Sequence, residues 1–141
     1  MNQDAVNDKI SMLRYEYLSE ELSKKDLAET PIKQFGKWMH EAIKAEIFEP
    51  NAMSLSTFSK DGYPSTRIVL LRGYNEEGLV FYTNYNSDKA VELLAQPKTE
   101  LNFFWPQLQR QMRIRGTISK VDTKTSDEYF ATRPRASQIS A

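Results

Sequence analysis

The chain has 141 residues, the size of one domain with a substantial core. Its 19 basic and 19 acidic side chains balance, which argues against non-specific binding to nucleic acid. It contains no cysteine, which excludes disulfides and cysteine-ligated metal sites and fits a cytoplasmic protein. The polar first residues and the lack of a long apolar run predict neither a signal peptide nor a membrane-spanning helix.

The first third of the chain predicts a tail, an arm and a helix. Residues 1–13 are polar and predict a mobile tail, followed by a single domain over residues 14–141. Within that domain, residues 14–24 indicate a short helix or an ordered arm. Thr30 precedes a proline, the residue pair of an N-cap and first helical position, so we expect a helix over residues 31–48.

The rest of the chain predicts strands joined by tight turns. The expected elements are strands over residues 52–59, 65–74 and 79–85, a helix over 87–95, strands over 99–105 and 110–121, a short helix over 125–132, and another helix start at Pro134. Lys60-Asp61-Gly62 and residues 75–78 have hairpin-turn composition. Hairpins without regular crossover helices predict a mainly β, α+β fold with flanking helices, arranged as a small Greek-key barrel.

The second predicted strand carries an arginine at each end of an apolar run, Arg67-Ile-Val-Leu-Leu-Arg72. Because an unpaired buried charge is costly, this pattern favours guanidinium groups that face anions. The alternative is an edge strand whose arginines reach solvent. Arg67 and Arg72 are five positions apart, so their side chains point to opposite faces of the sheet, and two separate partners are favoured over one shared anion.

Two later segments have the composition of phosphate sites. Ser87 and Lys89 stand at the start of a predicted helix, where free backbone N–H groups bind anions; the alternative is an ordinary capped helix. Tyr129, Arg133 and Ser137 combine a phenol, a guanidinium and a hydroxyl beside a second helix start, or are exposed residues of a helix–helix turn.

The glutamine-rich turn before the last predicted strand contains Gln111, whose amide can both donate and accept at the edge of a flavin or nucleobase. Such glutamines are more often plain hairpin residues. The single histidine, His40, supports neither a catalytic triad nor a metal cluster. The residues alone therefore identify no catalytic side chain.

Taken together and in order, these segments resemble the pyridoxamine 5'-phosphate oxidase family. The matching stretches are RYEYLSEEL, RIVLLR, LVFYTNYNSDKA, FFWPQLQRQMRIRGT and EYFATRPRASQISA, which cover most of residues 14–141. The resemblance implies an FMN-binding split β-barrel that works as a homodimer with flavin at the subunit interface. The implied reaction oxidises pyridoxamine or pyridoxine 5'-phosphate to pyridoxal 5'-phosphate and reduces O₂ to hydrogen peroxide.

The same resemblance implies ligand roles for particular residues. The flavin side comprises Arg67, the backbone of Ile68, Val69, Leu70 and Leu71, then Arg72, Tyr82, Thr83, Ser87, Lys89 and Gln111. The side that holds the substrate phosphate comprises Arg72, Tyr129, Arg133 and Ser137, with Arg14 to Tyr17 as a flap over the site.

The sequence departs from the family pattern at three places. Arg72 stands where lysine is usual, which keeps the charge but changes the donor geometry, and Asp88 stands where a basic residue is common and weakens phosphate attraction. The family pattern continues beyond Ala141 with further flavin contacts and an Arg-Leu-His substrate motif, which this sequence does not include. We expect an FMN-dependent oxidase of B6 vitamers; the alternatives are a non-catalytic module that binds FMN or pyridoxal phosphate, and a flavin-free dimeric scaffold.

Overall fold

The structure is a computed structural model that describes residues 2–84 and 86–122. The helices within these ranges are α1 (Gln3–Met12), α2 (Pro31–Lys44) and α3 (Asp88–Ala95), with 3₁₀ turns at Lys24–Asp26 and Pro106–Leu108. The strands are β1 (Ala52–Phe58), β2 (Pro64–Asn75), β3 (Gly78–Phe81), β4 (Lys98–Trp105) and β5 (Arg110–Thr117). The helices predicted after residue 124 lie outside the described residues. None of the described helices has the length and apolar character needed to cross a bilayer.

The five strands form one antiparallel sheet in the order β3-β2-β1-β4-β5. Hairpins join β1 to β2 and β2 to β3, and β4 returns through α3 to lie beside β1. Three hairpin-connected strands with the fourth beside the first make a Greek key. The predicted Greek-key connectivity is therefore confirmed.

Both predicted hairpin turns are present, and each contains a glycine in a conformation that other residues rarely adopt. Gly62 has a φ of 84° in the β1–β2 turn, and Gly78 has a φ of 154° where β3 begins. In the second turn, the side-chain oxygen of Asn75 accepts hydrogen bonds from the backbone N–H groups of Glu77 (2.8 Å) and Gly78 (3.2 Å). These local interactions explain why the hairpins could be located from sequence.

The core lies between α2 and one face of the sheet, because the apolar residues of the strands alternate with polar ones. Its buried members are Phe35, Met39 and Ala42 of α2, Met53, Leu55, Val69, Leu71, Leu101, Phe103 and Trp105 of the sheet, and Leu93 of α3. Phe103 is at the centre, with ring centroids 5.5 Å from Phe35 and 5.9 Å from Trp105. The indole N–H of Trp105 donates to the carbonyl oxygen of Pro50 at 3.0 Å, so this large side chain is buried without an unpaired polar atom.

Helix α2 begins where predicted but ends earlier. Thr30 is its N-cap, and the threonine hydroxyl accepts from the backbone N–H of Lys33 at 3.3 Å. The helix ends at Lys44 rather than near Phe48, so the predicted end was wrong. Glu46 has a φ of 56°, in the left-handed region, so the helix cannot continue through it. Phe48, which follows the end of the helix, is 86% exposed.

The N-terminal segment contains more structure than the sequence predicted. Residues 3–12 form α1, where an irregular tail was expected, but this helix buries none of its residues; its mobility stays a prediction. Residues 13–23 run without a helix or strand, as an arm rather than a helix. Ser19 fixes this arm to the turn between β4 and β5, because its backbone N–H donates to Gln109 Oε1 at 2.9 Å.

Two strands are shorter than predicted. β3 ends at Phe81 rather than residue 85, because the chain turns there toward the N-cap of α3. β5 ends at Thr117 rather than residue 121. The strand has one partly buried face: Ile114 packs against the core, whereas Arg113 and Arg115 are exposed on the other face.

Candidate functional site

The two ends of β2 present their arginines to opposite faces of the sheet. Arg67 shares a face with the buried Val69 and Leu71, and its side chain is only 22% exposed. Arg72 is exposed on the other face, with Ile68. The two arginines therefore lie on opposite faces of the sheet, as the sequence predicted.

Arg67 is paired with a carboxylate of α3. Its Nη2 lies 3.1 Å from Glu92 Oε2 and also donates to Ser65 Oγ at 2.7 Å. Its Nη1 donates to the carbonyl oxygen of Leu55 at 3.1 Å and to Thr57 Oγ1 at 2.6 Å. Of the five N–H donors of a guanidinium, only that of Nε takes no part in these four contacts. Arg67 therefore already has protein partners for four of its five N–H donors.

Glu92, which the sequence analysis did not single out, is the main acceptor of this network. It lies on the half of α3 that faces the sheet, next to the buried Leu93, and its side chain is 13% exposed. The same carboxylate oxygen accepts a hydrogen bond from the hydroxyl of Thr57, a buried polar residue of β1. An acidic residue within the apolar stripe of a helix was the signal that could have identified it, because a buried carboxylate requires a partner.

The β3–α3 connection builds the helix start that the sequence predicted. Ser87 is the N-cap, and its side chain accepts from the backbone N–H of Ala90 at 3.3 Å. The backbone N–H of Ser87 donates to the carbonyl oxygen of Asn84, and the Asn84 side chain accepts from the N–H of Asn86. The first turn of α3 is therefore held in place by the residues that precede it.

Two predicted site residues in this connection have no side-chain partner among the described residues. The Thr83 hydroxyl oxygen is buried and has no hydrogen-bond partner within residues 2–84 and 86–122. Lys89 is half-buried and takes part in none of the ion pairs of the described residues. Tyr82, which follows β3, is half-buried beside them. A buried hydroxyl without a partner is unfavourable, so the Thr83 hydroxyl has an unused hydrogen-bonding capacity among the described residues.

One edge of β2 is open next to this connection. β2 pairs with β1 through residues 64–70, whereas its pairing with β3 begins only at Leu71. The edge of residues 64–70 that faces away from β1 therefore has no strand partner in the described part of the chain. Backbone N–H and C=O groups along an open edge can bind a planar, hydrogen-bonding ligand.

Other predicted site residues are far from this place. Gln111 lies on β5, paired with Phe104 on the outer face of the sheet. Three strand spacings separate β5 from β2, roughly 14 Å. Arg14 and Tyr17 lie in the N-terminal arm, and both are exposed. The last predicted residues, Tyr129, Arg133 and Ser137, lie outside the described residues.

Within the described ranges there is no metal site, and one surface cleft lies apart from the predicted ligand residues. No group of three His, Asp or Glu side chains there could hold a metal ion. An open cleft lies between α2 and the β2–β3 hairpin, lined by Lys33, Gly36, Lys37 and Tyr74 among others, and it contains none of the predicted ligand residues.

Comparison with known proteins places the chain in a family. A family model described as pyridoxamine 5'-phosphate oxidase matches residues 39–141, more than half of the chain. The chain belongs to the pyridoxamine 5'-phosphate oxidase family. The proteins named pyridoxine/pyridoxamine 5'-phosphate oxidase in Actinobacillus succinogenes and Rubrobacter xylanophilus are 50% and 49% identical to it over 129 residues, 92% of this chain. The one in Leptospira interrogans is 47% identical over 136 residues, 96% of the chain.

The chain spans 61%, 59% and 64% of the lengths of these three relatives, respectively.

Solved structures have the same fold. PhzG from Burkholderia lata 383, in complex with tetrahydrophenazine-1-carboxylic acid, aligns with a TM-score of 0.76 at 25% identity, over 82% of this chain and 58% of that one. A pyridoxamine 5'-phosphate oxidase-related, FMN binding protein from Nostoc punctiforme aligns with a TM-score of 0.61 at 21% identity, over 81% and 63%. The predicted split β-barrel fold is confirmed.

Proposed function

We propose that this chain is the FMN-binding domain of an oxidase that converts pyridoxamine or pyridoxine 5'-phosphate to pyridoxal 5'-phosphate, with O₂ reduced to hydrogen peroxide. Membership of the oxidase family and relatives near 50% identity support the proposal. The structural observation that carries it is the Thr83 hydroxyl, which is buried and has no partner among the described residues, beside Lys89 at the start of α3. A family cofactor with a phosphate group would satisfy both.

The residues present fit FMN. Thr83, Ser87 and Lys89 offer a hydroxyl, a helix N-terminus and an ammonium group for the phosphate end. Asp88, exposed at the first position of the helix, opposes this attraction. The open edge of β2 over residues 68–70 offers backbone groups to the flavin ring. When bound, FMN supplies the two-electron acceptor that the side chains of this protein lack.

The outer face of the sheet suits the substrate. Arg72 is exposed there and is the residue to which the family resemblance gives the substrate phosphate. Tyr129, Arg133 and Ser137 would complete that phosphate site, and residues 14–17 of the exposed arm would cover it. In this arrangement the protein binds and orients two phosphate esters with separate cationic groups, one on each face of the sheet.

A homodimer would complete the site. The outer face exposes large apolar side chains: Ile68 is 67% exposed, Phe104 63% and Phe58 55%. Exposed apolar side chains on one sheet face favour a covered interface. Gln111 shares this face, so in a dimer it could reach the flavin of the second copy, which it cannot approach within one chain.

Anaerobic mixing of the FMN-loaded chain with pyridoxine 5'-phosphate tests this function. Loss of the visible absorption of oxidised flavin, followed by its recovery and by peroxide release when O₂ is admitted, is the expected result. Retained FMN without bleaching would favour the non-catalytic binding module. A colourless preparation with no FMN-dependent rise in melting temperature would favour the flavin-free scaffold.

A further inference from the structure

We propose that Glu92 is a positioning residue, which holds the Arg67 guanidinium and the first turns of α3 in the arrangement that binds the phosphate end of FMN. The inference rests on the proposed function for its ligand, but it concerns a residue to which neither the sequence nor the family resemblance gave a role. Glu92 would act through Arg67 and would not itself touch FMN.

The contact geometry makes the pair a fixed connection between helix and sheet. Nη2 of Arg67 lies 3.1 Å from Glu92 Oε2, and the two side chains are 22% and 13% exposed. Thr57 joins both partners, since its hydroxyl accepts from Arg67 Nη1 and donates to the Glu92 carboxylate. Little water screens such a pair, and the hydrogen bonds to the sheet leave one orientation for the guanidinium.

This orientation determines which donor remains for a ligand. Nη1 and Nη2 each make two hydrogen bonds within the described residues, so the N–H of Nε is the donor left over. A phosphate that took the place of Glu92 would leave that carboxylate beside a dianion, which is unfavourable. The ion pair should therefore persist in the complex, with only Nε of Arg67 available to the phosphate.

The same contact fixes the helix that carries the other phosphate ligands. Lys89 lies three residues before Glu92, on the same side of α3, because residues three apart are neighbours on a helix surface. Anchoring Glu92 to β1 and β2 thus sets the position of Lys89 and of the Ser87 cap relative to the sheet. Loss of the anchor should disturb the phosphate end of the site more than the ring end.

The decisive experiment compares FMN with riboflavin, which lacks the phosphate, in Glu92→Gln. This substitution keeps the size and one hydrogen-bond acceptor but removes the charge. Positioning predicts that FMN binds on the order of tenfold more weakly, equivalent to about 1.4 kcal/mol, while riboflavin affinity is unchanged. If Glu92 instead competes with the ligand for Arg67, removing its negative charge should tighten FMN binding, and that result would overturn the proposal. Equal weakening of both flavins would also overturn it, because general damage to the fold affects both.

Two controls make the readout specific. Glu29→Gln makes the same chemical change in an exposed ion pair with Lys33, and it should leave both affinities unchanged. Glu92→Asp keeps the charge on a shorter side chain and should bind FMN with an affinity between those of wild type and Glu92→Gln. Flavin affinity can be read from the quenching of flavin fluorescence, without any measurement of turnover.

A ligand-free measurement separates this inference from the proposed function. Urea unfolding of wild type, Arg67→Gln, Glu92→Gln and the double variant gives the coupling between the two side chains. We expect the double variant to lose clearly less free energy of unfolding than the two single variants lose in total. Strict additivity would overturn the inference, whereas failure of wild type to bind FMN, with coupling present, would overturn the proposed function and leave the pairing established.

Discussion

Gly36 of α2 and Tyr74 of β2 are in contact so close that a Cβ on Gly36 would require the tyrosine side chain to shift. A Cβ built on Gly36 would lie 2.5 Å from the phenol oxygen of Tyr74 and 3.2 Å from its Cζ. The ring of Tyr74 also packs edge-on against Phe35, with centroids 5.0 Å apart. This contact fixes the position of α2 on the sheet next to the β2–β3 hairpin. The chain continues from β3 into the β3–α3 connection, which contains the candidate site.

Gly36→Ala should therefore destabilise the protein, even though alanine is the better helix former. Overpacking costs roughly 1–3 kcal/mol, and the helix-propensity gain of about 1 kcal/mol offsets only part of it. Chemical denaturation gives the change in the free energy of unfolding. On a Tyr74→Phe background, which removes the phenol oxygen, the same substitution should cost less. An equal cost on both backgrounds would show that the Tyr74 oxygen is not the obstacle.

The two arginines of β2 should differ in their effect on stability. Arg67→Ala leaves the Glu92 carboxylate, 13% exposed, without its cation, so we expect a loss of about 2–3 kcal/mol. Arg72→Ala removes an exposed side chain from the same strand and should cost less than about 1 kcal/mol. Urea unfolding of the ligand-free protein measures both. A loss for Arg72→Ala as large as that for Arg67→Ala would contradict the pairing described here.

Thr83→Val should change stability and FMN binding in opposite directions. Valine has nearly the same shape and removes a buried hydroxyl that has no partner among the described residues. The free energy of unfolding of the ligand-free protein should therefore increase by about 1 kcal/mol, and its melting temperature should rise. The same change removes the hydroxyl that we propose hydrogen-bonds the ligand, so FMN should bind more weakly by about 1 kcal/mol.

Thermal unfolding without flavin and fluorescence titration with FMN provide the two measurements for Thr83. Thr83→Ser keeps the hydroxyl and is the matched control, which should retain FMN affinity. A Thr83→Val protein that is less stable without ligand would show that the hydroxyl has a protein partner, and the argument that a ligand belongs beside it would lose its basis.

The pH dependence of stability should include a contribution from the Glu100–Arg115 pair on the outer face. Arg115 Nε donates to Glu100 Oε2 at 2.5 Å, and this bond lowers the pKa of Glu100 below its ordinary value of 4.5. Because the pKa is lower in the folded state, the stabilisation is present above pH 4.5 and is lost as the pH falls through the folded-state pKa. In Arg115→Gln, an NMR titration of the carboxyl carbon should show the Glu100 pKa rising toward 4.5; an unchanged midpoint would contradict the assignment.

Features that depend on a few neighbouring residues could be predicted from the sequence. The N-caps Thr30 and Ser87 and the turns at Gly62 and Gly78 were located correctly, because caps and hairpins depend on local hydrogen bonds and local backbone conformation. The opposite faces of the β2 arginines followed from strand periodicity alone. The end of α2 did not follow, because Glu46 is not a residue type that marks a left-handed stop.

The partner of Arg67 could not be predicted in the same way. Glu92 is 25 residues further along the chain, and the contact forms only because α3 docks its apolar side on the sheet. A guanidinium in an apolar strand requires a partner, and the sequence predicted an anionic ligand in that role. In the structure the partner is a carboxylate of the same chain. A charged residue within an apolar strand predicts that a counter-charge lies nearby, but which residue supplies it depends on tertiary packing.

Equilibrium titration of the purified 141-residue chain with FMN and, in parallel, with riboflavin tests the central claim most directly. The proposed phosphate site of Thr83, Ser87 and Lys89 predicts that FMN binds at least about tenfold more tightly than riboflavin, a difference of about 1.4 kcal/mol, and that Lys89→Ala removes most of this preference. Equal affinities for the two flavins, or no binding of either, would contradict the account.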